Sequence, residues 1–439
     1  MISNRAFLTA VFSVFLIIFL WKDEVTLVFS LSFSLLFYFV FSSVVMQGRR
    51  LLLLSFSSYF LFLFLIPGYA HYMSGNYPFE WGYYQKNDVF DAALLVFLFL
   101  LSASIGYFTV GDSEGGSYVE VEEEVNKPFF YLFSLLVVLM LGSILILGGV
   151  DRYLQTRMEA YLYSNLSTIE SALFFQGPRV LSFVFVVYVC VSLRTFSKLT
   201  VFQLFCFASG SALFIIFNWP AGVPRFYILG YILSFCVIAF DFNNKIYRAI
   251  YWICLVVGLL VVLPVLNFFT RDKEFFFEEL FVRYLEHGDF DGFQSVINVV
   301  VFVKDEGVQY GSQLLSAIFF FVPRTIWSGK SESTGSIAAE NAGYLFTHVS
   351  APLPSEFFVD FGWPGVIIFS FVLGKVMAKL DTSRIFKGKG GGIFVAVVFG
   401  FSYIIFRGTL VGVIPPCFVA IFTAYVVFKY GFKRVEKYE

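Results

Sequence analysis

Pro352-Leu353-Pro354-Ser355-Glu356-Phe357-Phe358-Val359-Asp360-Phe361-Gly362 breaks an otherwise apolar chain, as does Phe321-Val322-Pro323-Arg324-Thr325-Ile326-Trp327-Ser328-Gly329-Lys330 upstream of it. Both belong to a long polar interruption at 270–362, and almost everything outside it is apolar helix. Two short apolar runs, 293–303 and 314–322, precede the quoted stretches. Each is about half of the roughly 20 residues a membrane-spanning helix needs. They read as helices lying on the membrane surface or half-inserted. A large extramembrane loop with its own helices, anchors and charges is where such a protein carries its function.

Working outward, the 439 residues are 59% hydrophobic and 14% charged, with a mean hydropathy of +0.80. A soluble fold could not bury that much apolar surface, so lipid is the solvent for most of the chain. Length alone predicts about three soluble domains at roughly 150 residues each. Repeated apolar runs of about 20 residues predict instead one integral membrane domain over 1–439, an all-α polytopic bundle, with 270–362 as a loop within it. The net charge of −1 gives no basic field for nucleic acid. All five cysteines fall in apolar runs, which argues against a disulfide framework and a cysteine-ligated metal. No cleavable signal follows the apolar stretch 6–21.

Spans are expected at 6–21, 25–46, 51–69, 92–110, 129–147, 173–193, 199–217, 226–240, 249–269, 357–378, 393–406 and 410–428, about twelve in all. One set of short connections carries Arg49, Arg50, Arg194, Lys198, Lys245, Arg248, Lys379, Arg384, Lys387 and Lys389, and the tail adds Lys429, Lys433, Arg434 and Lys437. The alternate connections are poorer in positive charge. By the positive-inside bias the first set and both termini are cytoplasmic, and the 270–362 loop faces outward. Single cysteines replacing Gly75 and Ser333 should therefore react with an impermeant thiol reagent, and those replacing Ser113 and Lys389 should not. Labelling of Lys389→Cys in cells with only the outer membrane permeabilised would reverse the orientation.

Several local signals read as structure. The acidic run Glu120-Val121-Glu122-Glu123-Glu124 has no metal-ligand spacing and reads as a solvated connector. Lys387-Gly388-Lys389-Gly390-Gly391-Gly392 lacks the spaced Gly-Lys-Ser/Thr of a phosphate loop and reads as a flexible turn. The 62 phenylalanines are compatible with lipid-facing surface. No internal repeat is evident, which weakens a transporter reading.

Chemistry is expected at the outward ends of spans. Arg179, Arg225, Arg271, Arg324 and Arg407 sit there, three of them after proline. They read either as interfacial anchors that snorkel to water or, because guanidinium forks match phosphate oxygens, as a site for the diphosphate of a lipid. His71, His287 and His348 all fall in outward loops, where solvation is the plain reading. His348 gains weight from lying eight residues before Glu356. Glu356 opens the tenth span between prolines and aromatics, a partly desolvated place suited to general-base work; an acid complementing the helix dipole is the equal alternative. Asp289 and Asp291 form a D-x-D, better read as a turn capping the next helix than as a metal site.

The succession His287-Gly288-Asp289-Phe290-Asp291, a short helix, Val322-Pro323-Arg324-x-x-Trp327-x-x-Lys330, and Pro352-x-Pro354-Ser355-Glu356-x-x-x-Asp360-Phe361-Gly362-x-x-Gly365 resembles the Wzy family of O-antigen and related oligosaccharide repeat-unit polymerases. Arg324 with Gly335 also follows the family's Arg-x10-Gly pattern. The motifs cover about 287–365. Two features depart: Lys330 is followed by Ser331 where the family has proline, and no second Arg-x10-Gly lies around Arg152 and Arg157. The resemblance implies a multi-pass glycosyltransferase of the bacterial inner membrane that needs no metal or other cofactor. It would transfer a growing glycan from undecaprenyl diphosphate onto a new lipid-linked repeat unit at the periplasmic face. Glu356, His348 and Arg324 would be catalytic, the five arginines would hold the diphosphate, and Trp327, Lys330 and Asp289 would touch glycan. A chain-length regulator and a flippase of the same pathway are the implied protein partners. The alternatives are an O-antigen ligase and a lipid-linked oligosaccharide flippase or other transporter.

Overall fold

The computed structural model describes residues 12–14, 17–45, 50–79, 84–110, 122–155, 171–193, 200–258, 284–383 and 389–435. Eight helices among them are long and apolar enough to cross a membrane: α1 (Glu24–Val45), α2 (Leu51–Ser74), α3 (Lys86–Phe108), α4 (Lys127–Ile146), α5 (Phe174–Leu193), α12 (Leu353–Thr382), α13 (Lys389–Arg407) and α14 (Leu410–Tyr430). The shorter helices of seven residues or more are α6 (Val201–Phe217), α7 (Arg225–Ala239), α8 (Lys245–Val257), α9 (Gly292–Glu306), α10 (Ser312–Ile318) and α11 (Thr334–Asn341). The chain is thus an apolar helical bundle of the membrane-embedded kind. The expected seventh and eighth spans are α6 and α7, at 17 and 15 residues shorter than the roughly 20 a perpendicular crossing needs. Half of the first expected span lies outside the described residues, as does the ninth beyond position 258.

Two compact units divide the chain. The first comprises Met1–Ser113, Phe242–Thr382 and Ile405–Ile414, and the second Glu114–Asp241, Ser383–Ile404 and Pro415–Glu439. In the first, α12 runs along α3 with the two backbones close together. A Cβ on Gly106 would meet the backbone of Phe371, and one on Gly374 the backbones of Ala103 and Tyr107. Small residues at that seam give backbone contact where lipid supplies no hydrophobic drive between helices. In the second, Phe183 of α5 stacks on Tyr231 of α7 at 4.4 Å and lies 5.8 Å from Phe401 of α13.

Two expectations change. The run 293–303 does form a helix, α9, but not one lying on a membrane surface: residues 291–300 are all buried. It packs among α2, α3, α11 and α12, with Phe293 against Phe29 and Phe64. Its polar side chains are spent on protein rather than water. Gln294 holds the backbone of Phe79 at both N–H and C=O, at 3.0 and 2.7 Å, and also reaches the Tyr84 and Tyr344 hydroxyls. Asn298 completes the network with the same two tyrosines. Burial raises the pKa of both phenols, so they stay neutral donors and acceptors.

The acidic run is not a free connector throughout. Glu122–Val125 is a strand, β1, paired antiparallel with β2 (Phe432–Val435), in a register that sets Glu123 opposite Arg434 and Glu124 opposite Lys433. The Lys389 ammonium donates to the Glu123 carbonyl at 3.0 Å. The acidic sequence thus pairs with the basic tail within the second unit; residues 111–121 lie outside the described part.

Candidate active site

Helix α12 is broken at Gly362, whose φ of 61° and ψ of −153° are open to glycine and strained for other residues. Pro364 has no N–H for the Asp360 carbonyl, and the Val359 carbonyl, whose helical partner would be Trp363 just past the break, accepts the Gln309 N–H at 2.7 Å. The half-helix before the break carries Glu356 and Asp360 one turn apart, both buried. Asp360 accepts the N–H groups of Gln313 and Leu314 at 3.0 and 2.8 Å, closing the N-terminus of α10. Glu356 Oε1 accepts the Leu410 N–H at 3.2 Å, at the start of α14. Past the break, Asp381 accepts from Leu52 and Leu53 at the start of α2 and from the Tyr107 hydroxyl. Each carboxylate satisfies N–H groups that a helix leaves unpaired and sits at the positive end of its dipole. One helix thereby fixes the starts of three others.

Glu356 differs from the other two. Its Oε2 is buried and has no backbone N–H partner, and the side chain within its reach is the buried Thr334 hydroxyl. One oxygen is anchored to a backbone N–H and the other meets a hydroxyl, the geometry of a positioned proton acceptor.

A second carboxylate holds the other end of the same turn. Arg407, three residues before Leu410, donates to Asp291 Oδ1 at 2.8 Å and to the Gly288 carbonyl at 3.2 Å. Asp291 is almost fully buried and also accepts from the Ser350 N–H and hydroxyl at 3.2 and 2.9 Å. It therefore does not cap α9 through its side chain, contrary to the D-x-D reading; only its carbonyl serves the helix, accepting from Ser295. The reason is local: its backbone, φ −66° and ψ −5°, is not the extended geometry of a side-chain cap, and the carboxylate is engaged by Arg407 and Ser350. Asp289 lies against its own turn, its carboxylate 3.4 Å from His287 Nδ1.

The remaining expected residues fall into separate places. Arg324 is exposed and forks onto the carbonyls of Lys330 and Ser331 at 2.6 and 2.9 Å. Lys330 sends its ammonium back to the carbonyls of Phe319, Phe320 and Val322. Burial, reinforced by the nearby Arg324 guanidinium, moves the Lys330 ammonium below its ordinary pKa. Trp327 is half-exposed in this loop, and His348 is exposed in the extended segment before α12. Arg179 and Arg225 belong to the second unit. Arg179 is buried, donates to the Phe217 and Gly222 carbonyls at 3.1 Å each and lies over the Phe175 ring. It lines a small cleft of about 50 Å³ with Gln176, Val223, Pro224, Tyr227 and Tyr231. Arg225 opens α7, and Arg271 lies outside the described residues.

Sequence reading passed over Asp360, Thr334 and Asp291 as functional side chains, and took His71 for a solvated loop residue. His71 is fully buried, with Nε2 2.6 Å from the Leu285 carbonyl. Its place directly after an apolar run was the available signal. Among the described residues no group of three or more His, Cys, Asp or Glu side chains is arranged to hold a metal. No protein-family model, curated protein or solved structure matches the chain, so the family resemblance stands on the quoted sequence motifs alone.

Proposed function

We propose that the chain is a membrane-embedded glycosyltransferase that polymerises lipid-linked oligosaccharide repeat units at the outer face of the bacterial inner membrane. The observation that carries this reading is Glu356: a buried carboxylate on a broken helix, anchored to backbone through one oxygen, with the other beside the Thr334 hydroxyl. Broken helices place irregular backbone at membrane depth where a site requires it. In the proposed reaction Glu356 takes the proton of an acceptor sugar hydroxyl. That oxygen bonds to the anomeric carbon as the carbon–oxygen bond to undecaprenyl diphosphate breaks, and the electron pair leaves with the diphosphate. No nucleotide is needed, because the diphosphate is itself a good leaving group once guanidinium groups absorb its charge. Arg324 and Arg407, both of the first unit, are the proposed sources of that charge. His348 is the alternative base; Trp327, Lys330 and Asp289 are proposed glycan contacts. A flippase and a chain-length regulator of the same pathway are the proposed partners.

The test is deletion of the gene followed by a glycan ladder gel. Single-repeat glycans on the core would establish the polymerase. Loss of all glycan from the core, with polymer retained on the lipid carrier, would make it a ligase. Accumulation of un-translocated lipid-linked units would make it a transporter.

A further inference from the structure

The 310–330 segment is apolar on its outside although it is too short to cross a membrane. Leu315, Ile318, Phe319, Phe321 and Ile326 are 47, 52, 43, 67 and 78% exposed. Five large apolar side chains within a dozen residues form a patch that water disfavours. Tyr310, 85% exposed, heads the segment with an unusual positive φ of 49° between two glycines of positive φ, Gly307 and Gly311, and Trp327 follows the patch. Aromatic residues with a polar edge favour the boundary between headgroups and hydrocarbon. Arg324 and Lys330, the cations of the segment, fold onto backbone carbonyls beside the patch.

Continuity identifies what covers this patch. The half-helix of α12 holds the root of α10 through Asp360, and the Phe361 ring lies where a side chain on Gly311 would stand. Phe361 leads on to Phe369, 5.1 Å away, and then to Ile368, Val372 and Val376, exposed at successive turns of the spanning part of α12. A spanning helix presents such a stripe to acyl chains. The patch extends that stripe.

We propose that residues 310–326 form an apron inserted into the bilayer, with Leu315, Ile318, Phe319, Phe321 and Ile326 among the acyl chains and Tyr310 and Trp327 at the headgroup boundary. The apron is fastened through Asp360 to the half-helix that bears Glu356. On the proposed function, which this clause alone requires, it sets the carboxylate at the depth where a lipid diphosphate meets its sugar.

Full-length protein in phosphatidylethanolamine–phosphatidylglycerol nanodiscs would be irradiated with a phospholipid carrying a diazirine in its acyl chain, and separately with a water-soluble diazirine. Peptide mass spectrometry should place acyl-chain adducts on 315–326 as on 367–376, with no aqueous adducts on 315–326. The pair Phe321→Asp and Ile326→Asp, at exposed positions, should abolish the acyl-chain adducts on the apron and leave those on 367–376. Aqueous adducts on 315–326 without acyl-chain adducts would overturn the proposal. So would cross-links from this segment to a second copy of the chain in place of lipid adducts. Neither readout uses glycan synthesis, so failure of the apron and failure of the polymerase reading are separable.

Discussion

Glu356→Gln is expected to abolish polymer while the protein accumulates and melts as the wild type does. Glutamine keeps an oxygen where Oε1 accepts the Leu410 N–H, so the start of α14 remains held. Its amide nitrogen replaces Oε2 and can donate to the buried Thr334 hydroxyl, so the side-chain contact is kept with donor and acceptor exchanged. Stability should therefore not fall. What glutamine cannot do is accept a proton, and loss of a general base slows a reaction by about 10²–10⁴. Alanine would confound the two effects by taking away the cap as well. A ladder gel and a thermal melt on the same variant separate them. A full ladder from Glu356→Gln, with none from His348→Ala, would move the base to His348.

The eight long spans were legible because an apolar run of about 20 residues has one economical use. The enclosure of α9 was not, because an apolar helix surface looks the same whether lipid or protein covers it. Gln294 and Asn298, four apart on an apolar helix, were the legible hint, since amides there need protein partners. The break in α12 was also written in Gly362-Trp363-Pro364, a glycine and a proline inside a mostly apolar run. What no local pattern carries is pairing at long range. The acidic strand β1 meets a tail more than 300 residues later, with Asn126 reaching the Tyr430 carbonyl. Asp291 meets Arg407 across 116 positions. For Glu356 the two readings, dipole partner and base, looked like alternatives in the sequence. The geometry lets them coexist, one on each oxygen.

Asp291→Ala should destabilise the protein by about 3–5 kcal/mol, the usual consequence of stranding one member of a buried ion pair. The Asp291 side chain is only 3% exposed and that of Arg407 22%, so solvent screens the pair little. Without the carboxylate the guanidinium loses its short contact, and Ser350 loses the acceptor for both its N–H and its hydroxyl. Asp291→Asn retains an oxygen but no charge and should fall between. Replacing both members, Asp291→Leu with Arg407→Met, should recover most of the loss, because an apolar pair of similar volume avoids the desolvation of two ions. A double-mutant cycle on thermal unfolding in one detergent measures the coupling. A melt of Asp291→Ala equal to wild type would show that the pair contributes nothing to the fold. The recovered double variant then decides what Arg407 is for. If the pair only holds the turn before α14, the folded double variant polymerises; if Arg407 also receives the diphosphate, it folds and makes single repeats only.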